Sequence, residues 1–234
     1  MENVSLEQAL SLVAWQNSLN CLVDPHWAHT HYPYLRGILV ETAEAMDHYG
    51  WKWWTLQVAD LQQFQYELMD ILSFLLCHLI SENQSDLHQA ARALVSQSDP
   101  AAASYGRDLQ MIDLRGDDVL RLLEQFAGLA VFGVVALPVL ERILRLSGLH
   151  DWDSVLAKFR QKQALHAFRQ LNGYRSGTYR KVWRGKEDSV HLAELLQGQS
   201  NDIISSELHQ ALSALYSQTS FHADATPGNN NAND

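Results

Sequence analysis

Between Gln57 and Ile80 the apolar residues Leu61, Phe64, Leu68, Leu72 and Leu75 recur at intervals of three and four. A helix gathers such positions onto one face, whereas a strand would scatter them over two. Tyr34 to Tyr49 repeats the pattern with Leu35, Ile38, Leu39, Thr42 and Met46, and ends at Gly50, a residue suited to a left-handed helix cap. Two amphipathic helices must bury their stripes against other elements, and most of the chain offers more helix. Helices are expected at Ser5–Val23 (with Ser5 as cap), Leu87–Ser96, Ser154–Leu171 and Val190–Tyr216. Another runs from Asp117 to Leu146, interrupted near Gly133 and Pro138. No series of parallel strands emerges, so the expected class is all-α, a helical bundle.

The chain has 234 residues, enough for one domain with a sizeable core. Residues 1–220 are expected to form a single all-α catalytic domain. The polar, low-complexity stretch 221–234 is expected to be a disordered tail. The stretch "NGYRSGTYRKVWRGKED" reads as an ordered loop with a short extended piece. The longest uncharged apolar run, Phe126–Leu140, is too short to cross a bilayer and reads as a buried core helix. Cys21 and Cys77 lie in apolar helical pattern and read as buried thiols of a reducing compartment. With no basic, apolar leader at the start, a cytoplasmic protein without a membrane partner is expected.

Charge is unevenly distributed. Nine of the seventeen basic residues lie between Lys158 and Lys186, with no acid among them. The remaining eight face all twenty-seven acids, and the net charge is −10. A basic run is usually a solvated face or a nucleic-acid patch. Nucleic acid is disfavoured here, because carboxylate clusters repel a polyanion.

Those carboxylates are paired. Glu41 and Glu44 fall on nearly the opposite side of their helix from its apolar stripe, and Glu67 and Asp70 do the same on theirs. Residues at i and i+3 stand one above the other, so each pair forms a claw of oxygens. Acids on such a face are commonly just solvated. Two claws on adjacent antiparallel helices would instead repel strongly, and a divalent cation would relieve them. All the ligands are oxygen, which favours Mg2+ or Mn2+ over zinc. Phe74 shares the side of Glu67 and Asp70, which suggests a partly covered face.

Taken together, Glu-x-x-Glu followed by Glu-x-x-Asp resembles the all-α nucleoside triphosphate pyrophosphatase superfamily. More narrowly, "RGILVETAEAMDHYGWKWW" looks like the first signature of the dimeric dUTPases, and "ALHAFRQLNGYRSGTYRKVWRGKED" looks like their C-terminal phosphate-binding signature. The resemblance covers Trp15 to about Leu195. It implies metal binding by Glu41, Glu44, Glu67 and Asp70, with Mg2+ bridging the triphosphate. It implies Mg2+-dependent hydrolysis of dUTP to dUMP and pyrophosphate, which limits uracil incorporation into DNA. Glu41 is the carboxylate selected to activate water. A homodimer is implied by the resemblance alone, and cleavage of dUDP stays open.

The resemblance also assigns the base and the phosphates. In "WQNSLN", Gln16 and Asn20 become uracil ligands, with Asn17 as the register alternative. An amide side chain both donates and accepts, which suits the uracil edge. Of Trp51, Trp53 and Trp54, at least one is expected in the core, and Trp54 is the expected aromatic wall for the pyrimidine. Arg169, Tyr174 and Lys181 are expected on the phosphates. His166 and Ser189 stand where the family pattern usually has Asn, and they are carried as phosphate-side residues. His26, His29 and His31 crowd a loop that reads as an aromatic surface loop rather than a metal site. Two other functions compete: a related pyrophosphohydrolase of broader nucleotide choice, and a non-catalytic helical scaffold.

Overall fold

Ser5 accepts from the Gln8 backbone while Gln8 reaches back to the Ser5 amide, and this capping box opens α1 (Leu6–Val23). The computed structural model describes residues 2–98, 114–196 and 205–220. A short 3-10 turn (Trp27–His29) leads to α2 (Tyr34–Tyr49), which stops at Gly50 with φ +90°. Helix α3 (Leu61–Glu82) begins four residues later than expected. Asp60 caps it, and residues 57–60 belong instead to a loop held by two bonds. Lys52 N donates to Gln57 Oε1 at 2.7 Å, and Asp60 N donates to the His48 carbonyl at 2.8 Å.

Helices α4 (Leu87–Ser98), α5 (Val119–Val131), α6 (Leu137–Leu146) and α7 (Trp152–Leu171) follow. A hairpin of two-residue strands, β1 (Val182–Trp183) and β2 (Lys186–Glu187), pairs antiparallel before α8 (Asp188–Leu196) and α9 (Ser205–Ser220). The protein is all-α: among the described residues the hairpin is the only sheet. The single helix expected over Val190–Tyr216 is thus two helices. Residues 99–113, 197–204 and the expected tail 221–234 lie outside the described residues.

α3 is the central element, packed against α1, α2, α4, α7 and α8. That environment explains why Tyr66, Met69, Ile71 and Leu76, all off the sequence stripe, are fully buried. Leu61, at its protruding start, is exposed. α2 approaches α3 closely at Gly37, where an added Cβ would sit 2.7 Å from the Phe74 ring. The main core spans α1 to α7. A smaller cluster of Phe168, Trp183, Leu192, Leu208 and Leu212 joins α7, β1, α8 and α9, with Tyr66 reaching in from α3. Each such buried side chain contributes roughly 1.5–3 kcal/mol, so the loop after α7 is pinned at its far end.

Three expectations are revised. The run Phe126–Leu140 is not one buried helix but breaks where an interruption was expected: α5 ends at Val131, Gly133 turns the chain with φ +82°, and Pro138 sits in the first turn of α6. Val131 and Phe132 are left exposed at that break. Cys21 is exposed and only Cys77 is buried, because α1 turns its Cys21 side away from the bundle. None of Trp51, Trp53 and Trp54 enters the core, since the loop leaves the body after the Gly50 cap. Among the described residues no helix is long and apolar enough to cross a membrane.

Candidate active site

α2 and α3 bring Glu41, Glu67 and Asp70 together, each offering an oxygen within 4.8 Å of the others. Such proximity is unfavourable for three anions in a half-buried place. Burial, then Asp70 and Glu67, push the Glu41 carboxyl up to about 8, and burial also raises Glu67. Asp70 is treated differently. Burial would raise it, but the Lys162 ammonium and His166 hold it well below the usual carboxylate range. Lys162 Nζ lies 2.8 Å from Asp70 Oδ2. His166 Nε2 lies 3.2 Å from Oδ1, which has no other partner. Lys162 and His166 are one turn apart on α7, so one helix face delivers both. Burial lowers His166 against the opposing pull of Asp70.

The donor set suits a hard divalent cation: carboxylate oxygens, incompletely neutralised, with an orphaned oxygen on Asp70. Glu44, the fourth expected ligand, is exposed and stands outside the tight trio, although it lines the same cavity.

That cavity encloses about 530 Å3, within the range of small-ligand sites. Glu41, Glu44, Glu67 and Asp70 line it, together with Gln16, Asn20, His166, Arg169, Tyr174, Lys181 and Ser189. Of the residues assigned to base and phosphates from the sequence, Trp54 and the register alternative Asn17 are absent. Trp54 is 56% exposed, edge-on to Trp51 and Trp53, on the loop that leaves the body after α2. The structure thus places Trp54, the expected pyrimidine wall, outside this cavity. Aromatic surface in the cavity comes from Trp27, Tyr32, Tyr34, Phe74 and Tyr174 instead. Trp27 and Tyr34 are buried rather than parts of a surface loop, with Trp27 Nε1 donating to Asn17 Oδ1 at 3.1 Å. Asn17 is committed there and does not line the cavity.

The cationic side is anchored by the last residue of the C-terminal signature. Asp188, fully buried, accepts from Arg169 Nε and Nη2 at 2.8 Å each, and from Tyr179 OH at 2.7 Å. Arg169 thus turns two donors away from any phosphate and ties α7 to the start of α8. The loop between them turns at Gly173, whose φ is +91° and where a Cβ would sit 2.1 Å from Thr178 Oγ1. Tyr174 and Lys181 project from this loop into the cavity, and both are exposed. The sequence did not single out Lys162, Ser73 or Gln163. A lysine in a basic run gave no sign that it would face Asp70. The i, i+4 spacing of Lys162 and His166 was the signal available.

No curated protein matches the sequence. A family model described as dUTPase matches residues 8–174, which includes all three clustered carboxylates, Lys162, His166 and Arg169 but not Lys181 or Ser189. The chain belongs to the all-α dimeric dUTPase family.

Proposed function

We propose that this chain is a Mg2+-dependent dUTP diphosphatase, converting dUTP to dUMP and pyrophosphate. One observation carries the reading: amides suited to a uracil edge (Gln16, Asn20) and a trio of anionic oxygens open onto one cavity that basic residues also line. A nucleoside triphosphate carries about four negative charges near neutrality, so it needs cations to enter an acidic site. Glu41, Glu67 and Asp70, with Glu44 at the margin, would hold Mg2+ (or Mn2+), which offsets phosphate charge and lowers the pKa of water. Glu41 takes the proton of the attacking water. Its raised pKa arises from burial and neighbouring anions, so an added cation returns it to the carboxylate form. Water oxygen bonds to the α-phosphorus as the bond to the bridging oxygen breaks, and pyrophosphate leaves. His166, Arg169, Tyr174, Lys181 and Ser189 face the phosphates, and Gln16 and Asn20 read the base.

The absence of Trp54 from the cavity favours a second reading, a pyrophosphohydrolase of broader base choice. Pyrophosphate release from dUTP, dCTP, dTTP, UTP and dATP, with Mg2+ and then with EDTA, separates the two. Release from dUTP alone supports the first, release from several nucleotides supports the second, and Mg2+-independent release sinks both. The working unit proposed is a homodimer. The exposed Trp53, Trp54, Leu56 and Val58 provide apolar surface for a second copy. Sedimentation at micromolar concentration tests it, and a monomer there removes the proposal.

A further inference from the structure

Beneath the carboxylates, a chain of hydrogen bonds crosses three helices. Ser73 Oγ on α3 donates its only hydrogen to the Met69 carbonyl at 2.9 Å. A hydroxyl so committed can only accept. The group facing it is Gln163 on α7, and so Gln163 must present nitrogen: Nε2 donates to Ser73 Oγ at 3.2 Å. The second hydrogen of the same nitrogen goes to Gln16 Oε1 at 2.9 Å. That makes Gln16 present nitrogen on its other side, where Nε2 donates to Asn20 Oδ1 at 2.9 Å. Asn20 in turn donates from Nδ2 to Cys77 Sγ at 3.0 Å. Ser73, Gln163, Gln16 and Cys77 are all buried.

Every amide in this chain has a fixed sense, set from the Met69 carbonyl outward. The fold keeps that sense even though it leaves Gln163 Oε1 buried without a partner. Turning Gln163 over would set its oxygen against two acceptors, Ser73 Oγ and Gln16 Oε1. After these bonds, Gln16 and Asn20 each retain one N–H and one oxygen lone pair. Uracil and cytosine differ in sense at two positions: a carbonyl becomes an amino group, and a ring N–H becomes a bare nitrogen. An amide free to turn over would serve either base. An amide held in one sense serves only one, because the wrong base leaves buried groups unpaired.

We propose that Ser73 and Gln163 are positioning residues for base selection, holding Gln16 and Asn20 in the sense that accepts uracil and refuses cytosine; this rests on the dUTP reading above. The test compares kcat/KM for dUTP and dCTP in the wild-type chain, Ser73→Ala and Gln163→Met, with thermal unfolding of each. Expected is a fall of about tenfold or more in dUTP preference in both variants, with the dUTP loss appearing in KM. Loss by the same factor on both nucleotides, or an unchanged ratio, overturns the proposal and leaves the dUTP reading standing. A wild-type chain with no preference for dUTP overturns that reading and this proposal together. If Gln163→Met does not fold, Ser73→Ala decides alone, since it removes a single hydroxyl from a helix.

Discussion

Glu141, on α6, offers the most quantitative test of the fold, well away from the candidate active site. Val4 N donates to Ser98 Oγ at 3.2 Å, and Ser98 donates to Glu141, so the N-terminal segment, α4 and α6 meet at one carboxyl. Burial raises that carboxyl from the usual 4.5 to about 7, partly opposed by the Ser98 hydrogen bond. A carboxyl raised in the folded state contributes stability that is fully present below about 4.5 and lost as pH rises through about 7. At about 1.4 kcal/mol per unit, the charged form disfavours the folded state by up to about 3 kcal/mol above pH 8. Glu141→Gln keeps the acceptor for Ser98 and abolishes the charge. Urea unfolding, compared with the wild type at each pH, is expected to show little difference near pH 4 and a gain approaching about 3 kcal/mol near pH 8.5. A gain that does not change with pH, or a loss at pH 8.5, would refute the reasoning.

The carboxylate trio predicts opposed effects on activity and stability. Glu67→Gln should abolish Mg2+-dependent turnover while raising the melting temperature without metal, since it relieves repulsion with Glu41 and Asp70; a lower melting temperature would contradict that repulsion. Asp188→Ala strands the Arg169 guanidinium and the Tyr179 hydroxyl, and should cost about 3–5 kcal/mol in chemical unfolding. A cost under about 1 kcal/mol would place that pair among solvated ones. Trp54→Ala should leave the dUTP KM within about twofold, because the ring is outside the cavity; a large rise in KM would return Trp54 to the base site.

Much of this was legible because helices repeat. The bounds of α2 follow from the apolar spacing and Gly50, and the structure starts and stops it at the expected residues. The carboxylates of α2 and α3 are paired by spacing alone, and the structure turns three of them toward one point. What stayed hidden depends on how one element rolls against another. α7 carries polar residues around much of its circumference, so only its docking on α3 and α1 decides that Lys162 and Gln163 turn inward. The pairing of Arg169 with Asp188 spans nineteen residues and a glycine-bearing loop, and no periodicity reports it. Trp54 shows the converse: the resemblance assigned it to the base, but the sequence does not report how the loop after the left-handed turn at Gly50 runs, and the ring lies exposed outside the cavity.

α7 also behaves as a graduated rule. Lys162, Gln163, His166 and Arg169 lie within eight consecutive residues, yet they address Asp70, Gln16, Asp70 again and Asp188. Each residue advances a helix by about 1.5 Å and turns it by about 100°. One residue inserted between Gln163 and His166 would therefore leave the first two marks aligned and swing the last two to another face. The Lys162–Asp70 and Gln163–Gln16 contacts would stay in register with each other, while the His166–Asp70 and Arg169–Asp188 contacts would be lost. Length in this helix should be far less tolerant of change than the identity of its outward-facing residues, and a library of single-residue insertions along the chain would reveal it as a narrow interval of lost turnover.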